Sequence, residues 1–477
     1  MKKSFIHSTD NRNLYLYDTL HLFSMLIHPE MEKVYKKSTE VDSYYLRKYA
    51  YLKEHGFFGE SKPTDFETTL DESIVKKNII QTKRIVFETT DHCNLNCQYC
   101  SLGEIYNFGK KNRKNINIRY AINFLKYIFD LKSEKTKLGI GFFGGEPLVN
   151  INFIKKIIEV ANQLNAEKKL ELKFNMTTNA TLIHKYIHFL VENNFELLIS
   201  LDGNEEGQSY RTFAKNSKNS FSKVIENIDM IQRDYPEYFV NNVSFNSVLH
   251  NRNSVKGIYE FIYNRYHKIP RIAQINTGDI NPDKKNIFDK MFNAKKISEE
   301  KYLNEGSSLL TITHNQLTLY NELSNFINNY TINHYISNLL YLLYADIKPL
   351  PTGTCFPFSR KIFINTNHNL LPCEKVSYSY SLGKVDDSVV IDVPEIVRKY
   401  NFYYEHIKRY CQYCYSARGC SLCLLTLENL DKLSTEEFIC PSFYNQEAFK
   451  NKLYRIFSFL ERYPSDFFEI IDNTMIE

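Results

Sequence analysis

Ten cysteines carry most of the chemistry legible in this chain, and they fall in two groups. Cys93, Cys97 and Cys100 stand together in Thr90-Asp91-His92-Cys93-Asn94-Leu95-Asn96-Cys97-Gln98-Tyr99-Cys100, a C-x3-C-x2-C spacing with an aromatic before the last thiol. The other seven lie between Cys355 and Cys440, and residues 101–354 contain none. Thiols kept only for packing scatter singly, whereas tight clusters are metal-ligand patterns. Three thiolates are one short of the four that close a structural zinc site or a cubane. A [4Fe–4S] cluster on three cysteines leaves one iron open to a small chelating molecule, to which the cluster can deliver an electron. The second group reads Cys355, Cys373, Cys411-x2-Cys414-x5-Cys420-x2-Cys423, Cys440. Its knuckles are too close for a zinc ribbon. Seven ligands exceed one tetrahedral site and suit two clusters, one with four cysteines and one with three.

The first triplet, placed just after the strand-like run Lys83–Thr89, resembles the radical S-adenosylmethionine (radical SAM) superfamily. Further segments carry the resemblance. Gly139-Ile140-Gly141-Phe142-Phe143-Gly144-Gly145-Glu146-Pro147 is an apolar strand entering a Gly-Gly-Glu-Pro turn, where glycine lets backbone approach a ligand closely. Thr177-Thr178-Asn179-Ala180-Thr181 and Ser200-Leu201-Asp202-Gly203 resemble the family's "TTNGT" and "SLDG" segments. Ala180 replaces the usual glycine, so that turn must avoid a positive φ or tolerate it at some cost. Arg211 offers a fork of donors suited to a carboxylate; its alternative is a solvated surface charge. The run Asn242–Leu249 resembles the strand that passes beside the adenine. The resemblance implies a [4Fe–4S] cluster on Cys93, Cys97 and Cys100. It also implies a SAM site drawn from Tyr99, Gly144, Gly145, Glu146, Thr178, Asn179, Ser200, Arg211, Asn246 and Val248.

The second group resembles the SPASM extension of radical SAM proteins, which carries two auxiliary iron–sulfur clusters. The gap between Cys355 and Cys373 is 17 residues, His368 stands where the pattern has glycine, and the last knuckle is x2 rather than x3. Carried over residue by residue, the pattern implies a distal cluster on Cys411, Cys414, Cys420 and Cys440. Cys355, Cys373 and Cys423 would hold the proximal one. No fourth cysteine lies between Cys355 and Cys373, so the proximal cluster has an open iron, a non-cysteine ligand or fewer irons. Glu374 stands where sulfatase-maturating relatives carry an aspartate proposed as base, and its alternative is an ordinary ion pair.

These residues need a scaffold. Strand-like runs begin near 84, 138, 170, 196, 242 and 271, with helical patterns such as 119–129 and 153–161 between them. Alternating strand and helix predicts a parallel α/β sheet. Six such units match the partial (β/α)6 barrel of the family, whose sites gather at the carboxyl ends of strands. The expected division is an N-terminal module with winged-helix-like character and a linker over 1–82, a barrel over 83–282 and a helical insert over 283–350. A SPASM segment over 351–445 and a C-terminal helical tail over 446–477 complete it. Within the first, Leu14–Phe23 reads as strands, Pro29–Tyr35 and the Tyr45, Tyr49, Leu52 face as helices, and 59–82 as linker.

A net charge of +5 over 477 residues gives no sign of nucleic-acid binding. No stretch approaches the ~20 apolar residues of a membrane span, and the start lacks an apolar signal core, so cytoplasmic residence is expected. The resemblance implies a peptide maturase that cleaves SAM reductively and uses the 5′-deoxyadenosyl radical on a precursor peptide or protein. A thioether, a carbon–carbon crosslink or an oxidation would result, with an electron donor such as flavodoxin or ferredoxin. Two alternatives stand beside it. A sulfatase-maturase-like formylglycine-forming enzyme is disfavoured by Glu374 and the extra N-terminal segment. A non-catalytic metal-stabilised peptide binder need not have kept Cys93, Cys97 and Cys100.

Overall fold

The computed structural model describes residues 2–107, 113–304, 318–330, 348–427 and 429–465. Alternating burial along Phe5–Ser8 (β1) and apolar runs at Leu14–Asp18 (β2) and Phe23–Ile27 (β3) produce an antiparallel three-stranded sheet in the order β1-β2-β3. Pro29–Tyr35 (α1) follows, then Ser43–Glu54 (α2), which Asp42 caps by accepting from the Tyr44 amide at 2.7 Å. Residues 59–82 are not all linker. Glu72–Gln81 forms a helix (α3), started by Asp71, and it buries Val75 and Ile79. Those two sit four apart on one face, the spacing a docked helix needs.

The strand-like runs become Arg84–Thr90 (β4), Lys137–Gly144 (β6), Glu171–Thr178 (β7), Glu196–Ser200 (β8), Val243–Leu249 (β10) and Arg271–Gln274 (β11). Two short strands, Leu95–Cys97 (β5) and Arg211–Phe213 (β9), pair with each other. The six longer ones are parallel, in the order β4-β6-β7-β8-β10-β11. Between them run Ile118–Leu131 (α4), Ile151–Lys168 (α5), Ile187–Glu192 (α6), Phe221–Asp234 (α7), Pro236–Asn242 (α8) and Val255–Tyr266 (α9). The core sits between strands and helices, with Phe87, Phe124, Phe142 and Phe195 fully buried. The described part of the insert is helical: Lys285–Met291 (α10), Lys295–Asn304 (α11) and Thr318–Tyr330 (α12).

The expected boundary between core and cysteine-rich segment does not divide the sheet. Ile362–Ile364 (β12) pairs parallel with the outer edge of β4, and Asn369–Leu371 (β13), Gly383–Val385 (β14) and Val389–Val390 (β15) continue as an antiparallel meander. The edge of β4 would otherwise expose unpaired backbone groups. The turn between β12 and β13 places His368 at φ +64, the left-handed conformation glycine adopts freely. Val393–Cys411 (α13) leads into the second cysteine group and packs on α3. Gln446–Arg462 (α14) buries Phe449, Leu453 and Ile456. It also holds the N-terminal sheet: Glu461 accepts from Asn11, Asn13 and Tyr15, and Ser458 accepts from the Asp10 amide. Among the described residues no helix is long and apolar enough to cross a membrane.

Candidate functional site

β4 ends at Thr90, and the cysteine loop begins immediately after it. The loop is fixed by β5, whose Cys97 sits opposite Arg211 of β9. β6 ends beside it. Gly144 has φ +131, and a Cβ there would lie 2.2 Å from the Thr90 carbonyl oxygen; at Gly145 it would lie 2.2 Å from that of His92. Only glycine permits this approach. The Gly145 amide donates to Thr90 at 2.8 Å and the Glu146 amide to His92 at 3.0 Å, so the Gly-Gly-Glu turn is stitched to the chain entering Cys93.

Glu146 is fully buried, and its carboxylate faces the protein. One oxygen accepts from the Leu148 amide at 3.1 Å and the Thr178 hydroxyl at 2.8 Å, the other from the Asn179 amide at 2.7 Å. Burial pushes its pKa up to about 7 against the pull of those hydrogen bonds. Glu146 thus clamps the end of β6 to the end of β7. Asn179 extends the clamp. Its amide nitrogen donates to Asn94 at 2.9 Å and approaches the Cys93 sulfur at 3.7 Å, while its oxygen accepts from Thr181. Ala180 takes φ +63 while fully buried, so the turn keeps the shape a glycine would give and tolerates the methyl group.

Arg211 is not a solvated charge, and its fork is already occupied. Nε and Nη2 donate to the two oxygens of Asp202 at 2.8 and 3.0 Å, with the arginine side chain 8% exposed and the aspartate not at all. The same carboxylate accepts from the Tyr99 hydroxyl and, at 2.8 Å, from the Val248 amide. Tyr99, buried between Cys97 and Cys100, is therefore tethered by its hydroxyl. Ser200 and Asn246 sit opposite each other at the ends of β8 and β10. The hub of this network, Asp202, was not among the expected site residues. Its signal was a carboxylate ahead of an arginine in Ser200-Leu201-Asp202-Gly203, but their pairing appears only once β8 and β9 are folded together. Glu88 was also missed. It is fully buried at the end of β4 and accepts from the Tyr378 hydroxyl at 2.6 Å and the Thr366 amide at 2.8 Å.

The seven C-terminal thiols group four and three. Cys411 lies within electrostatic reach of Cys420, Cys440 and Cys414, and Cys423 within reach of Cys373 and Cys355. Burial first, and the neighbouring thiols after it, push the Cys440 thiol up to about 11. Backbone amides point at the sulfurs: Tyr444 at Cys414 (3.3 Å), Leu422 and Gly353 at Cys420, Lys375 at Cys373, Leu425 and Thr426 at Cys423. None of the ten cysteines is in a disulfide. Both oxygens of Glu374 accept from Lys361 at 3.0 Å, with each side chain about one-fifth exposed. The candidate base is thus held in a half-buried ion pair.

Residues 87–262 match the family model described as "Radical SAM superfamily". The chain is a radical SAM superfamily enzyme. It is 26% identical over 320 residues to an uncharacterized protein of Methanocaldococcus jannaschii, covering 66% of this chain and 93% of that protein. It is 27% identical to the radical SAM cyclopropyl synthase TigE of Paramaledivibacter caminithermalis, over 41% of this chain and 42% of TigE. A cysteine-type anaerobic sulfatase-maturating enzyme of Clostridium novyi is 30% identical over 32% of this chain and 41% of its own length. The chain therefore spans less than half of either of these two named enzymes. Native anSMEcpe, solved with bound AdoMet and Cp18Cys peptide, shares the fold. Its identity is 18% and its TM-score 0.52, covering 82% of this chain and 99% of that one.

Proposed function

We propose that this radical SAM enzyme cleaves AdoMet (S-adenosylmethionine) reductively and modifies a side chain of a peptide or protein. The observation that carries the reading is the interlocking of three turns around Cys93. The cysteine loop, Gly144–Glu146 and Thr178–Asn179 are hydrogen-bonded to one another at adjacent carboxyl ends of parallel strands, the place where such sheets hold ligands. The residues fit the groups proposed. Cys93, Cys97 and Cys100 would hold the AdoMet-binding [4Fe–4S] cluster, Cys411, Cys414, Cys420 and Cys440 a distal one, and Cys355, Cys373 and Cys423 a proximal one. Buried thiols that crowd one another and receive backbone N–H groups suit a metal-bound, deprotonated state. Among the described residues no three ligands converge on a single ion, whereas zinc needs its sulfurs about 2.3 Å from one centre. When bound, the cluster and AdoMet supply one-electron chemistry that ends in hydrogen abstraction.

The chain's own residues position and enclose. The paired glycines open space beside the cluster loop, Glu146 and Asn179 set the shape of its wall, and Asp202 fixes Tyr99 and Arg211. A polar cleft lined by Asn276, Asp279, Lys375, Ser377 and Thr426 opens just after β11, between the core and the loops that follow Cys373 and Cys423. It continues past Ser379, Tyr380 and Leu425 into an aromatic groove of about 510 Å³. An extended peptide could reach the core by this route. In β3, which pairs with β2 alone among the described strands and exposes Leu26, the N-terminal module offers an edge for β-addition of a recognition segment.

Similarity to sulfatase-maturating enzymes of several bacteria, and the fold shared with anSMEcpe, favour oxidation of a cysteine or serine to an aldehyde over a crosslink. This shifts the weight from the ribosomal-peptide maturase to the sulfatase-maturase-like alternative, which Glu374 and the N-terminal segment disfavoured. TigE keeps crosslinking as the second reading. The test is anaerobic reconstitution followed by dithionite, AdoMet and synthetic peptides carrying one cysteine or one serine. Formation of 5′-deoxyadenosine with hydrazide-reactive peptide is expected. A mass loss of two hydrogens without hydrazide reactivity selects the crosslink. No 5′-deoxyadenosine from protein holding about twelve irons, four per cluster, refutes the proposal.

A further inference from the structure

Among the described residues six buried side-chain polar atoms have no hydrogen-bond partner, and two of them are the hydroxyls of Tyr400 and Tyr404. Each tyrosine is 1% exposed. They stand four apart on α13, one turn, and so share a face with Ile407 and Cys411. Both lie within electrostatic reach of Cys355 and Cys423. A buried hydroxyl left unpaired costs on the order of 1–3 kcal/mol, and two side by side in a well-packed helix indicate an acceptor that belongs between them and the thiols.

We propose that Tyr400 and Tyr404 are positioning residues of the three-cysteine site, donating O–H hydrogen bonds to the sulfur atoms of the iron–sulfur group held by Cys355, Cys373 and Cys423. The proposal rests on the reading that these cysteines bind such a group. Donation suits the place better than ligation: three thiolates already stand there, and Glu374 adjoins Cys373. Hydrogen bonds to cluster sulfurs stabilise the reduced, more negative state and raise the potential. α13 then has a second consequence. Tyr404 and Cys411 are two turns apart, roughly 10 Å along the axis at 1.5 Å per residue, so one rigid helix sets the spacing of the three-thiol and four-thiol groups.

The experiment uses the full chain, reconstituted anaerobically, as wild type, Tyr400→Phe, Tyr404→Phe and the double variant. Iron, sulfide and the potentials of all clusters are measured by EPR-monitored titration. The expected result is unchanged iron, an unchanged AdoMet-induced EPR response and a negative shift of one potential, largest in the double variant. Unchanged potentials overturn the proposal. Loss of one group's iron in Tyr404→Phe, or a phenolate-to-iron charge-transfer band in wild type, overturns it in favour of ligation. A measurement on wild type alone guards against a variant that does not fold: ENDOR in H2O and D2O should show an exchangeable proton coupled to that group, and its absence overturns the proposal. Iron content unchanged by Cys373→Ala would remove the iron–sulfur reading itself. Unchanged potentials with the iron present sink the phenol proposal alone.

Discussion

The two ends of this enzyme handle buried polarity in opposite ways. Around Cys93, buried polar side chains answer one another: Glu146 with Thr178, Asp202 with Arg211 and Tyr99, Asn179 with Asn94 and Thr181. Around the C-terminal thiols the accounts stay open. Seven thiols crowd in two sets, and the hydroxyls of Tyr400 and Tyr404 have no partner among the described residues. In the first region the buried polar side chains behind the cysteine loop are paired within the chain itself. On the proposed reading, the second would be completed by the iron–sulfur groups it binds, so that binding would contribute directly to folding.

Stripping the metal should break the symmetry most visibly. Chelation of the reduced protein is expected to abolish hydrogen-exchange protection over 393–445, where the four-thiol group and α13 lie. Residues 84–250 should stay protected, as should the β12–β13 hairpin that pairs with β4. Equal loss in both regions would erase the distinction. The next largest effect belongs to the front. Asp202→Ala leaves the Arg211 guanidinium buried without its carboxylate and frees Tyr99 beside Cys100. The expected loss is about 3–5 kcal/mol of stability, read by denaturant unfolding, and a change within about 1 kcal/mol would show that solvent reaches the site.

The smallest effect is in the pH profile. Glu146 has its folded pKa raised by burial from 4.5 to about 7. The folded state therefore holds this proton more tightly than the unfolded chain. The group's favourable contribution is complete below pH 4.5 and lost as pH rises through 7, a span worth on the order of 3 kcal/mol. Glu146→Gln removes that dependence. Relative to wild type the variant should gain stability between pH 4.5 and 7, offset in part by weaker acceptance from Thr178 and Asn179. Parallel stability curves across that range would show that the carboxyl does not titrate there.

Much of the scaffold could be read from residue order. Six strand starts and the helices between them follow from short apolar runs and turns, which are local signals. In the N-terminal module β2 and the two helices were legible for the same reason, whereas β1 was not anticipated and β3 begins where the expected run ends. The helix Glu72–Gln81 was not, because its apolar face is narrow and only docking on α13 makes it stable. The position of β12 on the edge of β4 was equally hidden, since strand pairing across nearly 280 residues leaves no trace in either segment alone.

Sequence by itself determined the chemistry on offer. The spacing of Cys93, Cys97 and Cys100, the paired glycines and the split of the remaining thiols are fixed by residue identity, because ligand type and backbone freedom are properties of single positions and their neighbours. Tertiary structure decided which side chains face a ligand and which hold the wall behind it. Glu146 and Arg211 look like ligand contacts in one dimension, and in three each is hydrogen-bonded to buried neighbours of its own chain. Asp202, Tyr400 and Tyr404 look ordinary until burial withdraws water and each must find a partner in the protein or in what the protein binds.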